Sequence, residues 1–101
     1  MGDVGVSFAA IAEQLRIPEP ELERKALKTF LEAELRSVDE RIMALIARYG
    51  VRQARGLEEL ISQRSVEEHP AWEDLIEWEG LEARREKLLE LLLALIREGV
   101  S

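Results

Sequence analysis

The chain has no cysteine and no asparagine, and its only histidine and only tyrosine are His69 and Tyr49. Without cysteine there is no disulfide framework, no thiolate metal site and no cysteine nucleophile, a pattern that fits a reducing cytoplasmic setting. With one histidine, any general-base scheme for Ser7, Ser37, Ser62, Ser65 or Ser101 must use His69, and none of these serines has a base near it in sequence. No glycine-rich phosphate loop is present. The most apolar stretch, LLELLLALI at 88–96, is interrupted by Glu90 and is far short of the roughly 20 residues a membrane helix needs. The opening MGDVGVSFAAIAEQ lacks a basic start followed by an apolar run, so it does not read as a signal peptide. No lysine or arginine occurs between Arg64 and Arg84.

The 101 residues suffice for one domain. At 47% hydrophobic and 35% charged, the chain is too apolar to be disordered and too charged for a membrane protein. Leu, Glu, Ala and Arg dominate, as in long amphipathic helices. A net charge of −7 opposes binding to nucleic acid and anionic membranes and favours a basic partner. Missing asparagine, scarce glutamine and abundant Glu and Arg fit a thermophilic source. A GC-rich genome would equally explain arginine in excess of lysine.

Along the chain, Ser7 is a good N-cap for a first helix over 7–16, with Phe8, Ile11, Ala12 and Leu15 forming one stripe. Pro18 and Pro20 separate it from a long helix over 19–49. That helix carries Glu19, Glu21 and Glu23 at its positive end and stops at Gly50. Leu31, Leu35, Val38, Ile42, Leu45 and Tyr49 alternate in steps of four and three, the seam of a coiled coil or bundle; Leu27, Phe30 and Ile46 widen it. A short helix is expected over 57–64 and a second long one over 70–97, with Gly80 weakening it and Gly99 ending it. Two long helices of matched length predict an antiparallel hairpin. Because 88–96 is apolar nearly all round, one neighbour cannot cover it. The N-terminal helix and a second copy of the chain are the expected covers. The fold expected is therefore all-α, a long antiparallel hairpin with short N-terminal and connecting helices, dimerising into a four-helix bundle. Leu88, Leu89, Leu92, Leu93, Leu95, Ile96, Val38, Ile42 and Leu45 are the expected interface.

The sharpest chemical feature is the acidic block Glu67, Glu68, Glu73, Asp74, Glu77, Glu79 and Glu82, which also holds Trp72 and Trp78. Glu67, Glu68, Trp72, Glu73, Asp74, Glu77 and Trp78 are the candidate surface for a basic partner, tryptophan being enriched where interfaces are anchored. The bland alternative is a solvated acidic helix start with tryptophan in the core. Six residues apart, the two tryptophans lie about 120° apart around a helix and cannot both face one seam. Glu73 and Glu77 stand one turn apart, as ligands of an oxygen-bound cation can. The Glu-x-x-His pattern of helical di-iron sites is missing, however, since Val66 stands three before His69. No metal, cofactor or catalytic residue is assigned.

Three resemblances bear on function. IAEQLRIP at 11–18 followed by Leu22 looks like the start of a helix-turn-helix, implying a DNA-binding regulator. The helix that would enter DNA begins PEPELERKALK, which brings glutamates to the phosphates. LRSVDERIMALIAR at 35–48 is similar to the opening helix of the helical chorismate mutases, implying a dicarboxylate pocket. Glu32 stands where that family has an arginine, and no lysine occurs between Lys28 and Lys87. Most of the chain, from ELERKALKTFLEAELRSVDERI through Tyr49-Gly50-Val51 to EEHPAWEDLIEWEGLEARREKL, resembles small helical archaeal and bacterial proteins encoded beside toxins. That resemblance implies an antitoxin-like, non-catalytic neutraliser of a partner protein. A structural coiled-coil role is the plain alternative.

Overall fold

The structure, a computed structural model, describes residues 6–99 and is all-helical there. Helix α1 spans Phe8–Leu15, α2 Glu19–Tyr49, α3 Ala54–Ser62 and α4 Glu68–Gly99. The Ser7 hydroxyl accepts from the Ala10 N–H at 3.1 Å and starts α1. Helix α1 ends on Arg16, which takes the left-handed conformation (φ 57) usually left to glycine. The Arg16 and Ile17 N–H groups bond back to the Glu13 and Ala12 carbonyls, closing a Schellman stop. Pro20 sits in the first turn of α2, where its missing N–H costs nothing. Gly50 ends α2 at φ 72, its N–H on the Ile46 carbonyl at 2.8 Å.

α2 and α4 run antiparallel as the long hairpin predicted from sequence, with the interhelical pairs receding in register. Glu34 meets Arg84 and Arg41 meets Glu77, while Tyr49 meets Asp74 nearest the turn. The connecting helix begins at Ala54 rather than at 57. Its first N–H is capped from across the fold, by the Glu82 carboxylate of α4 at 3.0 Å, and Ala54 is buried. Gly56 thus lies inside α3, where a Cβ would stand 2.8 Å from the Val51 Cβ. At the start of α4, His69 and Pro70 depart from helical geometry, so the regular helix runs from Ala71.

The core sits at the turn end. Leu45, Ala54, Leu57, Ile61, Ala71, Leu75 and Trp78 form one buried cluster, ringed by half-buried Ile42, Ile46, Tyr49, Val51, Leu60, Val66 and Leu81. α3 therefore gives this end a second layer. At the open end, where α2 begins and α4 finishes, only the short α1 packs, against α2. The molecule measures 63 × 38 × 16 Å. With helices packing about 8–10 Å apart, it is at most two helices thick. Its radius of gyration of 20.0 Å exceeds the roughly 13 Å of a compact 100-residue domain.

α1 does not cover the apolar end of α4. It packs on α2, burying Ala12 but leaving Phe8, Ile11 and Leu15 exposed. The lining of the open groove between α2 and α4 includes no α1 residue.

Candidate functional site

Two regions draw attention, the acidic turn end and the apolar open end. At the turn end the acidic block divides in two. Trp78 is fully buried at the centre of the core, and its indole N–H has no partner among the described residues. Asp74 is 7% exposed. It accepts the Tyr49 hydroxyl at 2.5 Å and faces Arg48 at 3.2 Å and Arg41 at 3.9 Å. Burial, then the hydrogen bond to Asp74, pushes the Tyr49 hydroxyl up to about 12. Glu77 grips the Arg41 guanidinium with both oxygens at 2.7 Å. That bond holds the Glu77 carboxyl below its ordinary range and raises Arg41. Asp74 and Trp78 are thus buried within the chain, while Glu77 stays exposed at the surface, paired with Arg41.

Glu67, Glu68, Trp72 and Glu73 do face solvent. Trp72 is 44% exposed, and Ile76, one turn on, is 67% exposed. Glu79 lies on the same outward face, at the four-three spacing that stacks side chains on a helix. Glu73 pairs with the His69 ring at 2.8 Å. Ile76 and Glu79 extend the surface expected from sequence. The signal was available, because a helix that buries Ala71, Leu75 and Trp78 must turn 72, 76 and 79 outward. Among the described residues no three His, Asp or Glu side chains gather as a metal cage.

The residues expected to form the interface between copies also separate. Val38, Leu45 and Leu88 are buried within the hairpin itself and have no surface to offer another copy. Ile42, Leu89, Leu92 and Leu95 are half-buried, and Leu93 and Ile96 are exposed. A groove of 420 Å³ opens between the helices, lined by Leu27, Phe30 and Leu31 of α2 and Leu91, Ala94, Leu95 and Glu98 of α4. Leu27, Phe30 and Leu91 are each about half exposed on it. Leu27, Glu34, Arg41 and Arg48 recur every seven residues on α2, as do Leu91, Arg84 and Glu77 on α4. Seven residues are almost two full turns, with about 20° of drift. The groove and the ion pairs Glu34–Arg84 and Arg41–Glu77 therefore share one face of the hairpin.

No described helix is long and apolar enough to cross a membrane. No curated protein and no solved structure matches the chain. A family model does match, over residues 1–99, and the chain belongs to the uncharacterized protein MJ0235 family.

Proposed function

We propose that the protein is a non-catalytic, protein-binding module that self-associates, as a homodimer, and uses its acidic turn end to hold a basic partner, in the manner of an antitoxin. The supporting observation is an excess of surface. The chain exposes 7770 Å², whereas a compact monomer of 11.6 kDa exposes about 5,800 Å². About 900 Å² is set aside as the most that the seven residues outside the described range can contribute. About 1,000 Å² of extra surface remains, more than the roughly 800 Å² that each side of a standard interface buries.

The partner surface is Trp72 and Ile76 with Glu67, Glu68, Glu73 and Glu79 around them. An exposed aromatic beside an aliphatic neighbour supplies the anchor, and the carboxylates supply the match for a basic protein. The test is co-expression with the product of the adjacent gene, followed by co-purification at moderate salt. The expected result is a complex that Trp72→Ala combined with Glu79→Lys weakens by at least ~30-fold. A complex indifferent to both substitutions, or none at all, overturns the partner assignment.

A further inference from the structure

Which face of the hairpin meets the second copy is open in the reading above, and the open-end groove answers it. We infer that two copies dock groove to groove about a two-fold axis, Phe30 of each entering the other's groove against Leu27, Leu91 and Leu95. This rests on the self-association reading and adds the face and the contacts.

The groove walls are apolar along their length, Glu98 standing at one end. Phe30 is 56% exposed on the lip, and the 420 Å³ space beside it is of a size that takes side chains from outside. In a two-fold interface one patch serves both sides, so it must offer both a projection and a hole. This patch does, with Phe30 as the one and the space between Leu27 and Leu91 as the other.

Charge selects a copy of the same chain as the occupant. Residues 19–31 and 88–99 hold Glu19, Glu21, Glu23, Glu90 and Glu98 against Arg24, Lys25, Lys28 and Arg97, a net −1 out of the chain's −7. Two such ends meet without net repulsion, whereas two acidic turn ends would not. Further along the same face, Glu34 and Arg41 are already paired with Arg84 and Glu77, so no charge there calls for a foreign partner. The surface excess of about 1,000 Å² per chain is what a homodimer interface removes.

The test is mass in solution by sedimentation across a concentration series, with helicity checked for each variant. The wild type should run at twice its chain mass. Phe30→Glu and Leu91→Arg should each weaken association by at least ~30-fold while leaving helicity unchanged; Leu27→Glu replaces either one that fails to fold. Mixing Phe30→Glu copies with Leu91→Arg copies should restore the pair, because each heterodimer sets the new glutamate against the new arginine. Leu93→Glu and Ile96→Glu, on exposed residues outside the groove lining, should leave the dimer intact. If those two dissociate it while the groove variants do not, or if mixing restores nothing, the groove assignment is overturned and self-association stands. A wild type that stays monomeric at every concentration overturns both.

Discussion

Asp74→Ala removes the acceptor that holds the chain's one tyrosine. The Tyr49 hydroxyl donates to the Asp74 carboxylate at 2.5 Å in a half-buried site. Burial first, and that bond second, raise its pKa from 10.0 to about 12. Below pH 10 the folded and unfolded chains both keep the phenolic proton. Above it the unfolded chain ionises first, and the folded chain follows only near 12. The raised pKa therefore contributes stability that is complete below 10 and is lost as pH climbs through the window from 10 to 12. At 1.36 kcal/mol per pH unit, the loss is at most about 2.7 kcal/mol. At neutral pH, Asp74→Ala breaks a hydrogen bond to a charged group, worth about 1.5–3 kcal/mol. Arg48 is half exposed and returns to water, and Arg41 keeps its bidentate pair with Glu77, at little further cost.

Because no other tyrosine is present, tyrosinate absorbance during a base titration reads Tyr49 alone. The wild-type midpoint should lie near 12, and the Asp74→Ala midpoint should move down toward the ordinary value. Urea unfolding at neutral pH should give the stability loss. A wild-type midpoint near 10, or an Asp74→Ala midpoint that does not move, refutes the buried tyrosine–aspartate bond and with it the account of how the turn end closes.

Four further outcomes follow from the same packing. Trp78→Ala empties the centre of the core, where the side chain is 0% exposed, and should cost about 3–5 kcal/mol in urea unfolding. Trp72→Ala, on a half-exposed outward face, should cost no more than about 0.5 kcal/mol, and only Trp72 fluorescence should respond to a water-borne quencher. Gly80 is helical with open space where a Cβ would stand, so Gly80→Ala should stabilise by about 1 kcal/mol. Gly56→Ala should instead destabilise by about 1–3 kcal/mol, because its Cβ meets Val51 at 2.8 Å; equal effects at the two glycines in thermal unfolding would contradict the packing of α3.

The elements that sequence displays best are those whose limits are set locally. Pro18, Pro20 and Gly50 bracket α2, and the four-three rhythm from Leu31 to Tyr49 marks its inner seam, so the hairpin was legible before any coordinates. The start of α3 was not, because its cap comes from Glu82, 28 residues downstream. The ends of α1 and α3, expected at Arg16 and Arg64, fall within two residues of those positions, at Leu15 and Ser62, although neither stop carries a glycine. Each chain reversal uses an arginine at positive φ, Arg16 and Arg64, where sequence logic looks for glycine. The acidic block misled in part. Its spacing shows seven carboxylates with no lysine or arginine among them, but the register of the hairpin brings Arg41 and Arg48 from α2 to Asp74 and Glu77. Geometry showed that both tryptophans cannot face one seam, and the three-four rhythm of Trp78, Leu81, Leu88, Leu92 and Leu95 already favours Trp78 for the core, where it is found. At the open end, Leu88 and Val38 carry the same apolar signal as Leu27 and Phe30. The hairpin consumes the first pair and leaves the second on the groove.

The two ends of the hairpin answer the same physical demand in different ways. Both carry long helices whose apolar stripes are wider than one neighbour can cover. At the turn end, nine residues of α3 lay Leu57 and Ile61 over Leu45, Leu75 and Trp78, and the demand is met within the chain. At the open end the sequence provides α1, whose own stripe stays in water beside α2. That leaves Leu27, Phe30, Leu91, Leu93 and Ile96 exposed. Covering the apolar part of that surface is favourable at roughly 25 cal/mol per Å², less the cost of bringing two chains together. In the proposed dimer, with a complete core at one end of each chain and an open surface at the other, folding and association are linked. The turn end folds the hairpin, and the open end should gain its stability from a neighbour, so overall stability should rise with protein concentration.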